Sequence, residues 1–340
     1  MFNNKTIFIT GGTGSFGKEF VKNILKNYKP KKIIIYSRDE LKQSEMRSED
    51  FITKIKNYNK IVRFFIGDIR DKERLLFAMN DNIDYVVHAA ALKQVPTSEY
   101  NPFETIKTNI IGAQNVIDSA LYYNIKKVIA LSTDKASSPT NLYGATKLTS
   151  DKLFISANNY KGKSKTELAV VRYGNVLGSR GSIVPILLKQ IKSGTITITD
   201  KRMTRFSITL SEGVEFVNKS LSLMQGGEIF VPKIPSYNIE TLAEAVAPNC
   251  RIKLTGIRSG EKIHEEMISV HESHKTIEYD KFYLIKPESE FFVWDELKLR
   301  KKGKNLRGKK CPNDFSYTSD NNSNFLSVNQ LKKLIKDNIH

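Results

Sequence analysis

A tyrosine and a lysine four residues apart on a helix share a face, so the lysine cation can pull the phenol's pKa down from about 10 toward that of a usable base. Tyr143 and Lys147 have this spacing, within the run NLYGATK. Spacing alone carries little, because Tyr28/Lys32, Tyr122/Lys126 and Tyr123/Lys127 share it. What distinguishes Tyr143/Lys147 is the polar run Ser132-Thr133-Asp134-Lys135 just upstream, at the end of a predicted strand. Asp134, if it can hold a proton, can serve as an acid. Lys135 can serve as a base only if burial or a neighbouring cation depresses its pKa from about 10.4. The plainer alternative has Asp134 capping the next helix and Lys135 in solvent.

A second constellation lies near the amino terminus. The apolar run Thr6–Thr10 leads into Gly11-Gly12-Thr13-Gly14-Ser15-Phe16-Gly17. Glycines at 11, 14 and 17 allow a tight turn and let backbone amides approach a pyrophosphate seated on the positive end of the following helix. A strand before and a helix after are the context that such a nucleotide site requires. The second strand ends in Tyr36-Ser37-Arg38-Asp39. A carboxylate there would bind the ribose 2′-hydroxyl of NAD, whereas an arginine accommodates the 2′-phosphate of NADP. Ser37 and Arg38 stand where that phosphate would lie, with Asp39 pointing away, which predicts NADP. A capped, charged loop is the alternative. An oxidised nicotinamide near Tyr143 would lower the phenol's pKa further.

These residues need elements to hold them. Short apolar runs at Thr6–Thr10, Lys32–Tyr36, Val62–Ile66, Tyr85–Ala89, Lys127–Ser132 and Leu168–Tyr173 read as strands buried on both faces. Helix-length segments such as Gly14–Asn27 and Pro102–Tyr123 lie between them. The βαβα alternation predicts an α/β fold with a doubly wound parallel sheet of the Rossmann kind. Beyond about residue 178 the rhythm loosens, with breaks at Gly181, Gly194, Pro232 and Pro235. The expected division is a dinucleotide-binding domain over 1–178 and a smaller substrate domain over 179–340, some of whose segments return to the sheet.

The motifs go further. The glycine turn followed by Tyr143/Lys147 resembles the extended short-chain dehydrogenase/reductases, the family of sugar-nucleotide epimerases and dehydratases. The runs SRDELKQSEM, FIGDIRD, HAAALKQVP, STDKA, NLYGATK, VRYGNVLGSRGS, DKRMTRF and GEIFVPKIPS resemble the inverting UDP-N-acetylglucosamine 4,6-dehydratases of pseudaminic acid synthesis, over essentially the whole chain. The resemblance implies that Tyr143 takes the C4 hydroxyl proton of the sugar and Thr133 bonds the C4 oxygen. It implies Asp134 as the acid at C6 and Lys135 as the C5 base, where retaining relatives have glutamate. It places Gly11, Thr13, Gly14, Ser15, Phe16, Gly17, Ser37, Arg38, Asp39, Glu40, Leu41, Lys42, Asp68, Ile69, Ala89, Tyr143 and Lys147 around NADP. It places Lys93, Asn175, Arg205, Arg258 and Tyr317 around UDP-N-acetylglucosamine, arginines being suited to a diphosphate. It also implies a homo-oligomer, hexamer or dimer, and a role in flagellin glycosylation. Gln94 stands where the family usually has histidine, with little effect expected.

Composition narrows the rest. A chain of 340 residues, 40% hydrophobic and 10% aromatic, can bury a real core. No run reaches the roughly 18 apolar residues of a membrane span, and MFNNKTIFITGG has no secretory apolar region, so a cytoplasmic protein is expected. Cys250 and Cys311 suggest no disulfide framework. The net charge is +18, with nearly half of the excess at Lys298, Arg300, Lys301, Lys302, Lys304, Arg307, Lys309 and Lys310. That stretch, beside Gly303 and Gly308, reads as a solvated basic loop rather than a nucleic-acid contact. His264-Glu265-Glu266-Met267 begins like a zinc helix but has Ile268 at the second ligand position, so no metal is expected. The competing readings are a UDP-sugar 4-epimerase, a retaining dehydratase of capsule or lipopolysaccharide synthesis, and a nucleotide-sensing regulator that binds nucleic acid.

Overall fold

The computed structural model describes residues 1–179, 182–303 and 306–338. Gly181 and Lys304 lie outside the described residues. Six parallel strands form the frame: β1 (Thr6–Thr10), β2 (Lys32–Ser37), β3 (Val62–Ile66), β4 (Tyr85–His88), β5 (Lys127–Thr133) and β6 (Glu167–Tyr173). Their order, β3-β2-β1-β4-β5-β6, reverses direction between β1 and β4, the doubly wound arrangement expected of buried, near-continuous apolar strands. Register places Ile7 beside both Ile33 and Tyr85.

The helix Ser15–Asn27 buries Gly17, Phe20, Val21, Ile24 and Leu25, a single stripe at helical spacing, against this sheet. The expected helix Pro102–Tyr123 is interrupted. It runs as Pro102–Ile106, a π-helical turn Lys107–Ile111, and Gly112–Tyr122. The wide turn carries Asn109, whose amide group bonds the Leu92 backbone at both ends (2.8 and 2.9 Å) and Thr146 Oγ1 at 3.1 Å. Periodicity could not reveal this, because the apolar pattern on either side stays helical.

Segments from the second half extend the sheet. Ile229–Pro232 runs parallel to β6, and Phe282–Ile285, Thr276–Glu278 and Lys309–Lys310 continue antiparallel to the edge. The basic stretch is therefore not one loop. Glu296–Lys302 is a helix, capped by Asp295, whose side chain accepts from Leu297 N, and anchored by fully buried Leu299. Lys309–Lys310 is an edge strand. Lysine-rich edges are a common protection against strand pairing between chains.

A second apolar cluster, including Leu177, Val184, Leu187, Ile196, Met203, Tyr237 and Leu242, forms beside the large sheet. It is framed by small sheets, Asn175–Val176 with Thr204–Ile208 and Ser236–Asn238, and Thr195–Ile198 with Arg251–Leu254. Leu331 of the helix Val328–Asn338 is buried in it.

Candidate active site

Each parallel strand delivers a residue to one cleft at its carboxyl end: Gly11, Ser37, Gly67, Ala89, Thr133 and Gly174. The cleft holds about 1230 Å³ and is closed from the other side by residues of the second cluster, among them Met203 and Tyr237. Doubly wound sheets bind ligands at this edge.

At the β1 end, Gly11 adopts φ +66°, and a Cβ there would lie 2.8 Å from Ala90 N, so glycine is required on both counts. Gly14 precedes the helix Ser15–Asn27, and no side chain caps its first turn. Gly11, Thr13, Gly14, Ser15, Phe16 and Gly17 all line the cleft. An uncapped helix end behind a glycine turn fits a dinucleotide pyrophosphate. Asp68, Ile69 and Ala89 line the same half. Burial opposes the charge of Asp68, but bonds from Arg70 Nη2 (2.6 Å) and Nε (2.8 Å) hold its carboxyl below the usual range.

At the β2 end, Ser37 is fixed by Gln43 Nε2, 2.9 Å from its hydroxyl, and Arg38 lies 3.5 Å from Asp68 Oδ2 while half exposed. Asp39 accepts from Lys42 N at 3.0 Å as the cap of the helix Glu40–Ser48 and pairs with Lys42 Nζ at 2.6 Å. Lys42 lines the cleft; Glu40 and Leu41, expected at the cofactor, do not, and Leu41 points to solvent. They occupy the outer side of the first turn that Asp39 caps.

The helix Leu142–Tyr160 carries Tyr143 and Lys147 on its buried face. Its start is pinned from three directions: Asn141 caps Gly144 N at 2.8 Å, Glu99 accepts from Leu142 N at 2.7 Å, and Asn141 Nδ2 reaches Gly260 O at 2.8 Å. Burial pushes the Tyr143 phenol up to about 12, while Lys135 and a hydrogen bond with Thr133 work the other way. Burial lowers the pKa of Lys147, whose Nζ donates to Leu131 O at 2.8 Å.

Asp134 is 1% exposed and does not cap the short 3-10 turn Asp134–Ala136; the Thr133 side chain does. Burial raises its carboxyl pKa, as an acid needs, although Lys135 opposes the shift. Lys135 departs from expectation. Its Nζ lies 3.1 Å from Asp134 Oδ1 and 2.9 Å from Glu265 Oε1. Burial works against its charge, yet the two carboxylates outweigh that and raise its pKa. The depressed pKa expected of a lysine base is absent; the two carboxylates favour the ammonium form of Lys135.

Among the expected substrate residues, Lys93, Asn175, Arg205 and Arg258 line the cleft. Arg205 is buried and commits Nη1 to Thr204 O (2.7 Å) and Ile263 O (2.8 Å), and Nη2 to Lys262 O (3.0 Å). It thus holds the loop carrying Glu265 rather than presenting a free fork. Tyr317 does not line the cleft: its hydroxyl donates to Ile234 O at 2.9 Å and accepts from Ile234 N at 3.0 Å, and its ring packs on Phe206. Sequence reasoning missed Glu265 and Tyr237, both cleft-lining. In the sequence Glu265 belongs only to an incomplete zinc motif, and nothing local ties it to Lys135.

Comparison with known proteins places these features in context. The family model described as "Polysaccharide biosynthesis protein" matches residues 7–287. The UDP-N-acetylglucosamine 4,6-dehydratase (inverting) of Campylobacter jejuni serotype O:23/36 (strain 81-176) is 56% identical over 337 residues, covering 98% of each chain. A UDP-glucose 4-epimerase of Rickettsia bellii (strain OSU 85-389) is 42% identical, over 88% of this chain and 89% of its own. The solved structure of Pen from Bacillus thuringiensis superposes with a TM-score of 0.87 at 38% identity, covering 99% of this chain and 98% of that one. The likeness first read from the motifs is thus shown at full length, and the chain belongs to the polysaccharide biosynthesis protein family, on the extended short-chain dehydrogenase/reductase fold.

Proposed function

We propose that this chain is an NADP-dependent, C5-inverting 4,6-dehydratase of UDP-N-acetylglucosamine. The observation that carries the reading is the convergence, in one cleft, of Thr133, Tyr143 and Lys147 with buried Asp134 and its partly buried partner Lys135. The 56% identical C. jejuni dehydratase supports it. The division of labour proposed along the chain is residues 1–178 for the dinucleotide and 179–340 mainly for the sugar.

A bound nicotinamide would supply the redox capacity, a reversible hydride acceptor for C4 and donor for C6, so that the net reaction is loss of water. The glycine turn would hold its pyrophosphate, and Ser37 with Arg38 its 2′-phosphate. Burial pushes the Tyr143 phenol up to about 12, so it would accept the C4 hydroxyl proton once Lys147 and the oxidised nicotinamide lower that value, and Thr133 bonds that oxygen. The C4 ketone acidifies C5–H. Asp134, whose acid form burial favours, gives its proton to the departing C6 hydroxyl. One proton is shared between Asp134 and Lys135; when Asp134 holds it, Lys135 is the neutral amine that accepts the C5 proton. Asp134 then ends as carboxylate and Lys135 as ammonium, so charge balances. A proton from solvent reaches the opposite face of C5 and inverts that carbon, while Tyr143 releases the C4 hydroxyl proton to solvent, so the protons balance.

The reading extends to a cytoplasmic homo-oligomer that starts pseudaminic acid synthesis for flagellin. Among the described residues no helix is long and apolar enough to cross a membrane. The 42% identical Rickettsia protein keeps a 4-epimerase as the second reading. Incubating the purified chain with UDP-N-acetylglucosamine in deuterated water, without added cofactor, separates them by NMR. A 4-keto-6-deoxy sugar with deuterium at an inverted C5 supports the proposal. A C4 epimer with C6 intact sinks it.

A further inference from the structure

Lys135 is held by two acids, and only one is its chain neighbour. Glu265 comes from the segment before the strand Glu266–Ile268 and is 2% exposed. Its Oε1 takes Lys135 Nζ at 2.9 Å and lies 3.6 Å from Arg205 Nε; its Oε2 is buried without a partner. Asp134 Oδ2 is buried and unpartnered as well. The groups facing this cluster are Tyr143, Tyr237, Lys262 and Glu261, besides Arg205.

Resting on the dehydratase reading, we propose that Glu265 is the positioning residue for the C5 proton step: by taking one side of the Lys135 head group, it aims the amine and leaves Asp134 Oδ2 free to carry the proton for C6. Lys135 Nζ meets Asp134 at Oδ1, the oxygen that also accepts the Thr133 hydroxyl, and turns another side to Glu265, so Oδ2 keeps its free edge. Arg205, bonded to Lys262 O and Ile263 O, fixes the segment from which Glu265 projects. The charges separate accordingly. Burial opposes ionisation of both carboxyl groups, but Lys135 and Arg205 hold Glu265 below its usual range, whereas Asp134 stays above its own. Two carboxyl groups with opposed shifts around one amine is the pattern of an assigned acid and a fixed counter-ion.

The test is E265Q, with E265D as the charge-keeping control, in the purified full chain with UDP-N-acetylglucosamine protiated or deuterated at C4 or C5. E265Q is expected to lower kcat on the order of 100-fold with KM nearly unchanged, and to raise the C5 deuterium isotope effect on kcat but not the C4 effect. Loss of the anion also lowers the Lys135 pKa, so the limb of the pH profile set by Lys135 moves to lower pH; E265D restores that limb. Thermal melting provides the readout apart from turnover, since E265D is expected to melt like the wild type. An unmoved pH limb in E265Q, or a rise in the C4 isotope effect instead, overturns the inference. So does a wild-type rate in E265Q. A wild type without dehydration overturns the functional reading itself, and this inference with it; an active wild type beside an unaffected E265Q overturns the inference alone.

Discussion

Asp151 lies one helical turn beyond Lys147 and accepts the Ser132 hydroxyl at 2.7 Å, with Arg172 Nη2 at 3.6 Å. The helix Leu142–Tyr160 thus presents Tyr143, Lys147 and Asp151 in succession on one buried face, and the last of them joins an ion network behind the cleft. Arg172, 1% exposed, continues that network to Glu272 at 2.9 Å and to Met267 O at 2.9 Å, just beyond the Glu265 segment.

That network should matter for stability. Removing one member strands a buried charge, so E272Q is expected to destabilise the chain by about 3–5 kcal/mol, measured by denaturant unfolding at neutral pH. Burial alone would raise the Glu272 pKa, but Arg172 overrides it and holds the carboxyl below its ordinary 4.5. The stability from this pair is full above pH 4.5 and is lost as pH falls through the folded-state value. Melting curves of the wild type should decline over that acidic window, and E272Q should decline less. An identical decline in both would refute the assignment.

Tyr143→Phe tests the chemistry with little structural cost, because the ring stays and only the hydroxyl leaves. Turnover is expected to fall roughly 10²–10⁴-fold, with the melting temperature near that of the wild type. Retention of turnover within a few-fold would remove Tyr143 from its role.

Arg38→Ala addresses the cofactor. Half exposed and 3.5 Å from Asp68, Arg38 makes no other ion pair among those described, so its guanidinium is available to a 2′-phosphate. A hydrogen bond to a charged group contributes about 1.5–3 kcal/mol. NADP affinity in the variant, by calorimetry, should weaken accordingly, while NAD affinity stays unchanged. Equal loss for both dinucleotides would argue against NADP as the natural cofactor.

The parts legible in the sequence are those with a local physical cause. Continuous apolar runs such as KIIIY mark strands covered on both faces, and β1 and β3 match their expected bounds. The glycine turn declares itself because Gly11 has no substitute at its φ. Tyr143 and Lys147 are four apart on a helix, so spacing and chain position find them. What escaped depends on distant partners. The basic run around Arg300 reads as loop because nothing nearby shows that Leu299 will be buried. Glu265 has no local signal, since its partner Lys135 is brought to it only where the strand Glu266–Ile268 packs against the turn Asp134–Ala136. Tyr317 lies off the cleft for the converse reason: Ile234, far away in sequence, takes its hydroxyl.

The wide turn at Lys107–Ile111 has a consequence for which changes in chain length the protein can absorb. A π-helical turn accommodates one residue more than the α-helix around it. Deleting one residue there would let Pro102–Tyr122 heal into an unbroken helix, stable by any local criterion. It would also swing Asn109 about 100° around the axis, since an α-helix advances by that angle per residue. Leu92 and Thr146 would lose their common partner, and the cleft wall carrying Thr108 would turn with it. The extra residue works as a register key: shortening the chain at this point preserves the helix and disengages the site.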